Sequence, residues 1–169
     1  MPDQPFSLAV RRGSACLAVL SLSLLAGVLI GMNCQGNMNG VDTAIFPSDY
    51  RQTYQLVRDC RNSIEHASTI RVWVNSIGSQ DYLNDENPLP VGTIVVKEEY
   101  AGGSCDNDAD LVAWSVMRKE PPGFDAANND WDFREYAPDR TQTATPSVTC
   151  IECHNEPECV ARDYMCTAP

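Results

Sequence analysis

Residues Cys150-Ile151-Glu152-Cys153-His154 read C-x-x-C-H, the attachment motif of c-type haem. Two thiols at this spacing add to the two vinyl groups of one haem, and the adjacent histidine swings onto the iron. Covalent attachment holds the cofactor where packing alone would not. A structural zinc site is the alternative, built from Cys150, Cys153, His154 and either Cys159 or Cys166.

The other cysteines bear on that choice. Residues 1–33 have the form of an export signal. Arg11 and Arg12 make a basic start, and the uncharged run Ala15 to Ile30 is short for a membrane span. We expect a cleaved signal, with a retained N-terminal anchor as the alternative. Either way the chain is expected in the periplasm or anchored facing it. Cys34 follows directly and is a lipidation candidate, although Asn33 stands where a lipobox has a small residue. With two cysteines given to haem, Cys60, Cys105, Cys159 and Cys166 remain as an even set. An exported chain favours disulfides. We expect Cys60 to pair with Cys105 and Cys159 with Cys166, with other pairings open. Export also favours haem over zinc, because c-type haem is attached outside the bacterial cytoplasm.

The formal net charge of −11 argues against nucleic acid and anionic membranes as partners; it permits a basic redox partner, and solubility alone accounts for it. There is no phosphate-binding G-x-x-x-x-G-K-[ST] loop. With only two histidines, His66 and His154, there is no hydrolase triad once His154 is given to iron.

The elements that must position the motif follow in order. Residues 34–44 are rich in Gly and Asn and read as a linker, and 45–169 as one domain. Pro47 and Asp49 suit the first turn of a helix, and Tyr50, Tyr54 and Val57 carry its apolar stripe to about Asp59. Ile70–Asn75 alternates as a half-buried strand. Residues 76–92 form a loop with a helical turn near Tyr82. Thr93–Tyr100, Leu111–Lys119 and Trp131–Tyr136 are further strands. Residues 137–149 are extended, the motif opens a helix, and Val160–Cys166 is read as a final helix. Hairpins without intervening helices predict antiparallel pairing. The fold class is α+β: a mainly antiparallel β-sheet with an N-terminal helix and a C-terminal haem-binding helix carrying C-x-x-C-H. That is not the all-helical layout of a small electron-transfer cytochrome c.

The chain resembles the cytochrome P-460 family, which includes the beta-type cytochromes c-prime. The resemblance rests on Phe46-Pro47-Ser48-Asp49-Tyr50-Arg51, Ile70-Arg71-Val72 and the run Pro90 to Glu98. Val116-Met117-Arg118-Lys119-Glu120, Trp131-Asp132-Phe133 and the haem motif complete it. It implies a covalent haem c, a homodimer, and either hydroxylamine oxidation or binding of NO at a five-coordinate iron. A redox partner protein would take the electrons. An electron-transfer cytochrome is the further alternative. The strand pattern alone makes Lys97 a solvated residue partnered by Glu98 or Glu99. The resemblance instead places it at the haem, where the family's matching lysine can bond to a meso carbon.

One departure stands out. Hydroxylamine oxidisers of the family carry a carboxylate above the haem, and its position falls near Trp114 or Ser115, neither of which is acidic. Asp108, Asp110 and Glu120 are the nearby substitutes, and Trp73, Trp114 and Met117 are candidate pocket caps. His66 is expected at the surface. Met165 comes near the haem edge but is expected in a disulfide-tied tail rather than on iron.

Overall fold

The computed structural model describes residues 44–64, 66–144 and 148–166. The expected leader, Cys34 and all of the linker but its last residue lie outside them. All described residues fall within the compact unit Met38–Pro169. Among them no helix is long and apolar enough to cross a membrane.

Six strands form one antiparallel sheet in sequence order: β1 (Gln55–Ser63), β2 (Ser68–Val74), β3 (Ile94–Tyr100), β4 (Leu111–Lys119), β5 (Trp131–Tyr136) and β6 (Gln142–Ala144). The helices are short: α1 (Tyr50–Thr53), α2 (Ser79–Asn84), α3 (Val148–His154) and α4 (Pro157–Val160). The antiparallel sheet is as expected. The long first helix is not. Helix α1 ends at Thr53, and Tyr54 is already extended. The residues read as its continuation are strand β1, which pairs with β2 and is tied to the β3–β4 loop by the Cys60–Cys105 disulfide. Pairing and crosslink override a weak local preference.

Residue alternation gives the sheet two faces. One packs Val96, Trp114, Val116 and Tyr136 against Phe46 and Tyr50 from the N-terminal segment. There Glu98 is fully buried and accepts hydrogen bonds from the Tyr50 hydroxyl, from Arg51 and from the Tyr100 hydroxyl at 2.9 Å. The Trp114 indole donates to the Tyr50 oxygen at 3.0 Å. Arg51 also spans to Asp108 at 2.7 Å. Tyr50, Arg51 and Glu98 therefore share one structural role, docking the N-terminal segment. Replacing Tyr50 with Phe is expected to cost about 1–3 kcal/mol, because Trp114 and Glu98 each lose a partner where water does not reach. A thermal melt that does not move would refute this.

The other face packs Ile70, Val72, Val74, Val95, Met117, Trp131 and Phe133 against Tyr82, Leu89 and the C-terminal residues Tyr164 and Met165. Buried Asp163 anchors that C-terminal segment, accepting from Lys119 at 2.7 Å, the Leu89 amide at 2.8 Å and Asn129. The final helix differs from expectation. It runs from Pro157 to Val160, and the chain then turns, with Asp163 and Tyr164 at φ of 53° and 68°. Positive φ at two successive residues cannot continue a right-handed helix.

Candidate functional site

Cross-strand register decides which side chains meet on the second face. Val72 pairs with Lys97, Lys97 with Ser115, and Ser115 with Glu135. One step along, Val95 pairs with Met117 and Met117 with Phe133. These two cross-strand rows, one mostly polar and one apolar, line a single open pocket with about 220 Å³ of free volume, and α3 closes its other side.

Helix α3 brings Cys150, Cys153 and His154 to this pocket. Spacings of three and four put all three on one helical face. Both thiols are outside the disulfides, whereas Cys60–Cys105 and Cys159–Cys166 are bonded as expected. The second bond removes both candidates for the fourth donor of the zinc alternative. Among the described residues no group of three or more His, Cys, Asp or Glu is placed to hold a metal ion. The motif closes α3 instead of opening a helix, since His154 is its last residue.

The His154 ring is oriented from two sides. Its Nδ1 lies 2.5 Å from the Tyr164 carbonyl, to which it donates, and Phe133 meets it edge-on at 5.3 Å. With Nδ1 holding the proton, Nε2 keeps its lone pair. Burial pushes the imidazole down to about 4, against the opposing pull of the Tyr164 bond, so the ring is neutral at neutral pH. A neutral, oriented imidazole beside two free thiols over an apolar floor is a donor set that fits a c-type haem.

The polar wall differs from expectation. His66 is not a surface residue. It lines the pocket, with its side chain 24% exposed, and contacts Lys97 at 2.8 Å and Glu99 at 2.9 Å. Lys97 is a pocket residue too, not a solvated strand lysine. Ser115, one of the two non-acidic positions singled out in the sequence, donates to Glu99 at 2.5 Å. The substitutes Asp108, Asp110 and Glu120 do not line the pocket; Glu99 and Glu135 do. Asp108 serves Arg51, and Glu120 is paired with Arg118. Of the candidate caps, Met117 lines the pocket, while Trp73 and Trp114 pack on the opposite face. Met165 is buried and reaches the pocket as well, next to the disulfide-tied Cys166. The role of Glu99 was readable from Lys97, two residues away on the same strand face. Glu135 needed the register of β4 with β5.

Fold and site together define a β-sheet protein with a pocket suited to a thiol-anchored macrocycle. The Cytochrome P460 family matches residues 47–167, and the chain belongs to it. Membership carries a haem cofactor with it. No curated protein matches the chain.

Proposed function

We propose that this chain is an exported c-type haem protein that binds or oxidises small nitrogen species such as hydroxylamine or NO. The carrying observation is that Cys150, Cys153 and His154 open onto the same pocket as Lys97, with both thiols unpaired to any other cysteine. Cys150 and Cys153 would hold the haem through thioether bonds, and His154 would ligate its iron through Nε2. When bound, the haem supplies an iron that takes a small ligand and exchanges electrons. The chain's own part is orientation and proton handling. Tyr164 and Phe133 fix the His154 ring, and Val72, Val95, Met117 and Phe133 keep the floor dry. Glu99 and Glu135 supply carboxylates on the pocket wall. Oxidation of hydroxylamine releases protons, so a positioned carboxylate favours the enzymatic reading. The apolar floor favours the second reading, a non-catalytic NO-binding protein of the cytochrome c-prime-beta type.

The test is the ferrous absorption spectrum of the protein matured with haem-attachment machinery, followed by hydroxylamine-dependent reduction of an electron acceptor. A strongly red-shifted Soret band with turnover supports the enzyme and a Lys97 bond to the macrocycle. An ordinary high-spin spectrum with NO binding and no turnover supports the second reading. Absence of covalent haem overturns both. Periplasmic location, a homodimer and a basic redox partner belong to the same proposal.

A further inference from the structure

We propose that His66, held by Glu99, is the base that takes a proton from Lys97 and leaves it a neutral, nucleophilic amine on the pocket wall. An ammonium has only protons to offer, so at the 2.8 Å contact His66 Nε2 accepts from Lys97 Nζ. The proton on the ring is then at Nδ1, which donates to Glu99 Oε1 at 2.9 Å. Ser115 Oγ donates to the same carboxylate oxygen from the facing strand. Burial works to raise the Glu99 carboxyl, but the bonds from His66 and Ser115 and the nearby positive charge outweigh it and hold the group below the usual range. Glu99 is therefore an ionised acceptor at neutral pH. The order amine, imidazole, carboxylate is the arrangement of nucleophile, base and orienting group.

The step balances within the trio. One N–H bond of Lys97 breaks, one forms at His66 Nε2, and the summed charge stays constant. The imidazolium produced lies directly against Glu99, the carboxylate that the Lys97 charge also feels. In free side chains this transfer is uphill by about 4 pH units. The adjacent carboxylate and the partial burial of the amine both act to close that gap. The other ionisable groups on the pocket wall are Glu135 and Arg134 on β5, Tyr82 on α2, and Cys150, Cys153 and His154 on α3. Arg134 is already engaged with Asp132 at 2.8 Å. The neutral amine is ready for an electrophilic carbon bound in the pocket. Its use on a haem rests on the function proposed above, while the proton step itself needs no haem.

The sequence makes a clean test available, because Lys97 and Lys119 are its only lysines. The full chain is produced oxidised but without haem attachment, so that Lys97 is chemically unmodified. It is pulsed with acetic anhydride between pH 5 and pH 10, and acylation at each lysine is read by peptide mass spectrometry. A lysine of ordinary basicity has about one amine in 2,500 neutral at pH 7. Lys97 is expected to react at pH 7 about 100-fold or more faster than that fraction allows, with a midpoint in the histidine range. Lys119, held by Asp163, serves as the unreactive reference. His66→Gln and Glu99→Gln are each expected to lower the Lys97 rate at pH 7 by about ten-fold or more. A Lys97 midpoint near 10 in the unaltered chain overturns the proposal without any variant. An unchanged rate in a His66→Gln protein with native circular dichroism also overturns it. Because no haem is present, neither result depends on whether the haem reading holds.

Discussion

The Cys150→Ala/Cys153→Ala variant is expected to lose all haem that survives denaturation and organic extraction, while the unaltered protein keeps it. Both sulfurs line one pocket three residues apart on α3, and each is free to react. Among the described residues no other thiol is available to replace them, since Cys60, Cys105, Cys159 and Cys166 are consumed in two disulfides. The pocket is open, so a haem left to His154 and apolar contact would be extractable. Lys97 is the one remaining group in the pocket for which a covalent route is proposed. The triple variant that adds Lys97→Ala is therefore measured alongside. Covalent haem in the double variant but not in the triple would move the anchor to Lys97. Covalent haem in the triple would refute the attachment assignment altogether. The measurement is an in-gel haem stain with the intact mass.

Asp163→Asn is expected to destabilise the domain by about 3–5 kcal/mol, the usual cost of stranding one member of a buried ion pair. The Lys119 ammonium sits 2.7 Å from Asp163, with side chains only 7% and 1% exposed. Asparagine preserves shape and tolerates the φ of 53° at this position, so the loss reports charge and acceptor strength, not backbone strain. The Leu89 amide at 2.8 Å and the Trp131 indole at 3.2 Å lose their charged acceptor as well. Unfolding in urea gives the number directly. Adding Lys119→Met should recover much of the loss, because the pair is then removed together. A shift under about 1 kcal/mol in the single variant would mean that water reaches Lys119. The functional consequence comes through the chain: Asp163 adjoins Tyr164, whose carbonyl orients His154. Loosening this anchor should weaken the hold on the imidazole before it unfolds the sheet.

Much of this molecule was legible as a string. Period-two alternation located β2 to β5, because each has one face turned to a core and such strands show their pattern locally. Cysteine parity and the expectation of export pointed to disulfides among Cys60, Cys105, Cys159 and Cys166, but left the pairing open until the fold brought Cys60 to Cys105 and Cys159 to Cys166. The haem motif was visible because its chemistry demands fixed spacing. Strand β1 was misread as helix, since Tyr50, Tyr54 and Val57 are spaced like a helical stripe and its burial pattern does not alternate cleanly. What made it a strand was its partner β2, an interaction absent from any local window.

The polar wall of the pocket is the clearest case of information held only in three dimensions. Nothing in Ser63-Ile64-Glu65-His66-Ala67 distinguishes a surface histidine from one that joins Lys97 to Glu99. The β1–β2 turn carries His66 across 31 positions of sequence to a 2.8 Å contact. Likewise nothing in the string joined Ser115 to Glu99 until register set Ser115 opposite Lys97, in diagonal reach of Glu99 on the neighbouring strand. Residue types and spacings along the chain specified the covalent chemistry and the alternation of strands, because both depend on near neighbours. Strand pairing and chain reversal specified which charges share a pocket, because those contacts form only when distant segments are brought together.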